Sequence, residues 1–410
     1  MYLLPKPKTI KEQDGQMLLC HSTHIVMTKE VAETEMHAAK RLQEAIRQET
    51  GLILPFSVGE VREGDLSLGI AKTLPEQTYE ITIDEKGGQI SGGDGAGVLY
   101  GVETFCQIVQ QCGGILPCVQ IQDAPDMPNR GYYFDQTRGR VLKLEELKKI
   151  ADRMCRYKLN QLQLYVEHTY LFRDFSEMWR DQTPLTAEEI LELDSYCRER
   201  HIELVPSLAS FGHLCTLLST KTYGDLCEME DSWKEPFSFW NRMRYHTINV
   251  SDERSLPLIK KMIAEYMQLF SSNKFNICAD ETFCLGKYKS KKLAEERGVH
   301  RLYIDYVKEL AQFLVENGKI PMFWGDIIWN SPELMKELPE SMICLNWGYA
   351  PEQREDETRA IAQTGAVQYL CPGVCGWNQW ANLIENSYKN ITRMCGYAAK
   401  YHGIGVLNTD

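Results

Sequence analysis

The hydrophobic pattern changes character near residue 125. Before that point, short alternating stretches such as Leu66-Ser-Leu-Gly-Ile and Tyr79-Glu-Ile-Thr-Ile predict half-buried strands. A helical period over Ala32 to Gln48 ends at Gly51. A strand, a glycine turn and a helix from about Val98 follow in Gln89-Ile-Ser-Gly-Gly-Asp-Gly-Ala-Gly-Val-Leu-Tyr-Gly. Residues 1–125 are therefore expected to form a small α/β domain. Ile121-Gln-Asp-Ala-Pro-Asp-Met-Pro-Asn reads as a proline-broken linker.

From 126 to 410 the pattern alternates strand and helix. The expected strands are Arg130–Asp135, Gln161–Val166, Glu203–Ser207, Lys274–Ala279, Pro321–Gly325, Met342–Trp347, Val367–Cys371 and Gly405–Asn408. Helical patterns lie between them, at Leu144–Tyr157, Ala187–Arg200, Asp252–Phe270 and Leu302–Glu316 among others. Eight short buried strands alternating with helices predict a (β/α)8 TIM-type barrel. The chain stops at Asp410, just past the eighth strand, and the expectation is a barrel truncated after strand 8, a fragment of a longer protein.

Composition narrows the partners. Hydrophobic residues make up 43% and charged residues 25%, enough for a sizeable core. A formal net charge of −12 without a basic cluster argues against nucleic acid or an anionic membrane as partner. The start of the chain lacks the apolar core of a signal peptide. Fourteen cysteines without that signal fit reduced thiols and a cytoplasmic location. Gly95, Gly97 and Gly101 come near a dinucleotide fingerprint. The cluster falls late in its domain with no acidic strand end at the proper distance, so tight helix–sheet packing is favoured over a nucleotide-binding oxidoreductase.

The active site of such a barrel lies past the C-terminal strand ends. There the sequence places Asp135 and Arg138, Glu167 and His168, Ser210 to His213, Asp280 and Glu281, Trp324 and Asp326, Trp347 and Tyr349, and Tyr369 and Trp377. A rim rich in acids and aromatics suits a carbohydrate: rings stack on sugar C–H faces and acids bind hydroxyls. Two adjacent carboxylates ending a buried strand are costly unless paired or used.

These stretches resemble glycoside hydrolase family 20, the β-N-acetylhexosaminidases, in a divergent bacterial-type form. Arg130-Gly-Tyr-Tyr-Phe-Asp resembles the family's first strand, and Lys158-Leu-Asn-Gln-Leu-Gln-Leu-Tyr its second. Phe211-Gly-His213 resembles the Pro-Gly-His after strand 3, and Asn276-Ile-Cys-Ala-Asp-Glu281 the His-x-Gly-x-Asp-Glu signature. Asn346-Trp347-Gly-Tyr and Tyr369-Leu-Cys resemble strands 6 and 7. Differences stand at Asn276 (usually His), Cys278 (usually Gly), Cys371 (usually Asp), and Glu167-His168 in place of an Asp pair.

The resemblance implies an exo-acting hydrolase of glycans or glycoconjugates with a terminal N-acetylhexosamine. It also implies no metal and no organic cofactor. The nucleophile would be the substrate's own 2-acetamido oxygen. Adjacent strand residues point to opposite faces, so a second carboxylate nucleophile is not easily supplied. Glu281 would act as acid and then base, and Asp280 would steer the acetamido group. Tyr369 would bind the acetamido oxygen and Arg130 the C3 and C4 hydroxyls. Trp347 and Trp324 would wall the pocket, with Trp377 and Asp326 at the sugar, and His213 would support the acids. A carbohydrate-binding protein with impaired catalysis is the alternative on the same scaffold.

Overall fold

The computed structural model describes residues 1–377 and 380–410. Two compact units result: Met1–Pro128 with Lys148–Asn160 and Tyr196–Ile202, and Asn129–Leu147 with Gln161–Ser195 and Glu203–Asp410.

The first unit carries a seven-stranded sheet of β1 (Thr9–Leu18), β2 (Ile25–Met27), β3 (Phe56–Val58), β4 (Leu66–Ile70), β5 (Tyr79–Asp84), β6 (Gly87–Gly92) and β7 (Ile115–Asp123). Their order is β1-β7-β5-β6-β4-β2-β3. In β5 the expected alternation appears as buried Tyr79, Ile81 and Ile83. The predicted single helix from Ala32 is two, Lys29–Thr34 and Met36–Thr50, broken at Glu35, where φ is −119°. The second ends at Gly51 in the left-handed conformation, the usual glycine stop.

Close packing accounts for the glycine cluster. The helix Gly95–Cys112 starts on Asp94, whose side chain accepts from Gly97 N at 2.7 Å. A Cβ on Gly97 would lie 2.2 Å from Thr78 O, and one on Gly92 2.2 Å from Val98 N. The donors that a pyrophosphate would need are thus met by a carboxylate of the chain itself.

The second unit is a closed barrel of eight parallel strands: β8 (Asn129–Asp135), β9 (Gln161–Val166), β10 (Glu203–Leu208), β11 (Lys274–Asn276), β12 (Ile320–Trp324), β13 (Ile343–Trp347), β14 (Val367–Cys371) and β15 (Gly405–Thr409). β15 closes on β8 with Gly405 opposite Asn129. All six residues of β9 are buried, as expected where helices cover the outside and side chains fill the inside.

At the floor, where the strands begin, Gln161 Nε2 donates to Glu203 Oε2 at 3.1 Å, and Lys274 Nζ donates to the same oxygen at 2.7 Å. One predicted strand is shorter than expected. β11 stops at Asn276 because that side chain accepts from Cys278 N at 2.9 Å and turns the backbone out of the ladder.

Candidate active site

The turn after β11 builds the site. Cys278, Ala279 and Glu281 have φ of 57°, 64° and 48°, in the left-handed region, as does His213 at 60°. Such conformations are costly for non-glycine residues and persist where surrounding bonds hold them. Here each peptide is tied down. Ser210 Oγ donates to Ile277 O at 2.6 Å, Trp324 N to Cys278 O at 2.9 Å, and Tyr303 OH to Ala279 O at 3.0 Å. Glu281 N donates to Asp326 Oδ2 at 3.0 Å. Gly212 is needed beside this turn, since a Cβ there would lie 2.5 Å from Asp280 O.

The left-handed turn has a chemical result. Asp280 and Glu281 are not on a strand, and both carboxylates turn toward one ring. His213 Nε2 is 3.4 Å from Asp280 Oδ2 and 3.3 Å from Glu281 Oε2. These contacts pair charges, but neither is aligned as a hydrogen bond. Burial of the ring pushes its pKa down; the Asp280 carboxylate, with support from Glu281, more than offsets this and raises it to about 10. The three ligand-type atoms lie within 4.8 Å of one another, a spacing that a divalent cation fits. To take one, His213 would first have to give up the proton that the two carboxylates favour. The expectation that adjacent acids diverge is therefore corrected.

Asp280 and Glu281 open into a cavity of about 340 Å³, within the range of small-molecule sites. Trp324, Trp347, Tyr349 and Trp377 line it. Trp347 stacks on Tyr349 with ring centroids 5.0 Å apart, and Tyr349 meets Trp377 at 4.4 Å, making a continuous aromatic wall. Trp324 is almost fully buried and packs edge-on against Tyr133 at 4.9 Å.

Three expected ligands are placed elsewhere. Tyr369 is fully buried, and its OH accepts from Gln161 Nε2 at 3.4 Å, at floor level. The missing side chain of its partner Gly405 leaves room for the ring, whose atoms lie 2.7 Å from where a Cβ would be. Arg130 is the second residue of β8, at the strand's entry end, and does not line the cavity. Its position is odd-numbered steps from Tyr133, whose ring points inward, so its side chain leaves on the other face. Asp326 does not line the cavity either. It sits beneath the acid pair, with Oδ1 buried and unpartnered. Burial, then the charge of Asp280, pushes its pKa up to about 8.

Glu167 does not reach His213. It accepts from Tyr165 OH at 2.9 Å and from Arg242 Nη2 at 3.0 Å. Burial would raise its pKa, but His168, Arg242 and Arg138 hold it down at about 2. Arg242 lies on the short helix Phe239–Arg244, whose Phe239, Trp240 and Met243 line the cavity with Phe283. Sequence reasoning passed over these four. The aromatic density of Trp233-Lys-Glu-Pro-Phe-Ser-Phe-Trp240 was the available signal.

A model of glycosyl hydrolase family 20, domain 2, matches residues 1–124, and one of the glycosyl hydrolase family 20 catalytic domain matches residues 128–401. The chain belongs to glycosyl hydrolase family 20. A β-hexosaminidase of Porphyromonas gingivalis is 24% identical over 91% of this chain and 50% of its own length. One of Vibrio furnissii is 26% identical over 68% and 48%. The chain thus spans about half the length of the curated relatives it matches.

Among solved structures, the chitobiase of Flavobacterium johnsoniae has a TM-score of 0.82 at 19% identity, covering 100% of this chain and 65% of its own. The Streptomyces plicatus N-acetyl-β-hexosaminidase in complex with Thio-NAglucal has a TM-score of 0.80 at 18%, covering 99% and 84%. These likenesses give the fold: a family 20 barrel with its small α/β partner.

Proposed function

We propose that this chain carries the catalytic unit of an exo-acting β-N-acetylhexosaminidase whose nucleophile is the substrate's 2-acetamido oxygen. Glu281 gives a proton to the leaving glycosidic oxygen and takes one from the incoming water. Asp280 steers the acetamido group and balances charge on its nitrogen as the oxazolinium ring forms. The terminal sugar stands against Trp347 and Trp377 over Trp324. Of the three tyrosines lining the cavity, Tyr133 and Tyr165 bond Ser207 and Glu167, which leaves Tyr349 to meet the acetamido group, while Tyr369 faces the floor. The fourteen unpaired cysteines support a reducing compartment.

One observation carries this reading: two carboxylates that line an aromatic-walled cavity share one buried histidine behind them. The same observation favours a second reading. With both carboxylates on one side, Asp280 can be weighed as a direct nucleophile, as in retaining enzymes that use a carboxylate pair roughly 5 Å apart. The test is a panel of aryl glycosides with and without the 2-acetamido group, with a thiazoline mimic of the oxazoline as inhibitor. Glu281→Gln should abolish release of amino sugar while the fold is kept. Asp280→Asn should lower kcat by about 10²–10⁴. Unchanged turnover in either variant removes the assignment, and no release by the wild type leaves the carbohydrate-binding alternative.

A further inference from the structure

The closed strand order sets the loops after β10 and β11 side by side, across the mouth from those after β13, β14 and β15. One side of the cavity is the wall of Trp347, Tyr349 and Trp377. The other is Phe239, Trp240 and Met243 from the β10 loop, and Phe283 from the β11 loop. Phe283 follows Glu281 by two residues, its N donating to Glu281 O at 2.7 Å, and both line the cavity.

Trp240 is 63% and Phe283 40% exposed, unusual for large rings lining a cavity. Arg244 is exposed just outside the lining, its guanidinium 5.0 Å from the Trp240 ring centroid and 6.0 Å from that of Phe283. The other two arginines here are engaged, Arg138 by Asp135 at 2.6 Å and Arg242 by Glu167 at 3.0 Å. Among the described residues, Arg244 has no carboxylate within 4.0 Å. A guanidinium stacked on rings keeps its edge N–H groups for a planar anion.

We propose that Trp240, Phe283 and Arg244 form the leaving-group site, and that it takes an anionic sugar ring, carrying a carboxylate or a sulfate ester. The ring stacks on Trp240 and its anion meets Arg244. The inference rests on the assignment of Asp280 and Glu281 above and adds the chemistry of the group that departs.

The test compares kcat/KM at low salt for three disaccharides. Each has a terminal β-linked N-acetylglucosamine, joined to glucuronate, to galactose 6-sulfate, or to plain galactose. The wild type should favour an anionic disaccharide over the neutral one by about tenfold, the scale of one charge-assisted hydrogen bond. Arg244→Gln should bring that ratio to about one, and Trp240→Ala should lower kcat/KM for all three. Preference for glucuronate alone, or for the sulfate alone, assigns the anion. A wild-type ratio near one, or a ratio that Arg244→Gln leaves unchanged, overturns the proposal.

Titration calorimetry of the same disaccharides into Glu281→Gln, with and without Arg244→Gln, needs no turnover. Should the wild type cleave nothing, the catalytic reading fails. Binding that loses its anion preference with Arg244 would still support the site, and binding indifferent to Arg244 would dismiss it.

Discussion

Replacing Asp326 with Asn should stabilise the protein, although it removes the carboxylate that holds Glu281 N in the turn after β11. In the folded chain Asp326 has its pKa raised from 3.8 to about 8 by burial and by Asp280. The sign follows from proton uptake on folding. Below pH 3.8 the group is protonated in both states and costs nothing. Above that, the unfolded chain gives up the proton while the folded one keeps it, and the cost grows until about pH 8.

At pH 7 this upward shift costs stability on the order of a few kcal/mol, at roughly 1.36 kcal/mol per pH unit. Asn keeps the acceptor for Glu281 N and is neutral at every pH. Its NH2 must sit where Oδ1 is now buried without a partner, which offsets part of the gain. We expect a net gain of about 1–3 kcal/mol at pH 7, shrinking to nothing near pH 4. Urea unfolding at pH 4, 5.5, 7 and 8 measures it. A variant less stable than the wild type at pH 7, or a difference independent of pH, would show that Asp326 is not held protonated in the folded chain.

The remaining expectations concern the neighbouring charges. Glu167→Ala leaves Arg242 unpaired in a mostly buried site and should cost about 3–5 kcal/mol, with Glu167→Leu/Arg242→Met recovering most of it in a thermal melt. A double variant as damaged as the single would remove the pair as the anchor of the Phe239–Arg244 helix. His213 has its pKa raised from 6.5 to about 10, so its contribution is full below pH 6.5 and is lost as pH climbs toward 10. The stability gap between wild type and His213→Phe should therefore narrow from pH 6 to pH 9.5; a gap that widens contradicts the pairing with Asp280 and Glu281.

Much of this architecture was legible before any coordinates, and the reasons are local. Most barrel strands are short buried runs, and seven of the eight fall within two residues of expectation at both ends. β11 differs because Asn276 can either continue a ladder or cap a turn; its amide donates to buried Gln163 at 3.0 Å, and its oxygen takes Cys278 N. The acid pair was visible as two charges ending an apolar run. What the pattern does not carry is height within the barrel. Tyr369 lies in the middle of β14, level with Leu345, whereas Trp347 ends β13 level with Cys371 and reaches the mouth. The space left by Gly405 lets Tyr369 lie toward the floor, a fact about the neighbouring strand. Arg130 fails for the same kind of reason, since its strand enters the barrel there. The Phe239–Arg244 helix has only six residues, too few for periodicity, so its role rests on the long-range pair with Glu167.

The most direct test of the account compares 4-nitrophenyl β-glycosides that differ only at carbon 2. A 2-acetamido nucleophile requires efficient cleavage of the 2-acetamido sugar, a steep fall as the acetyl group is progressively fluorinated and its oxygen made less nucleophilic, and no measurable cleavage of the plain 2-hydroxyl sugar. Comparable rates on the 2-hydroxyl sugar, with a covalent glycosyl adduct trapped on Asp280, would contradict it.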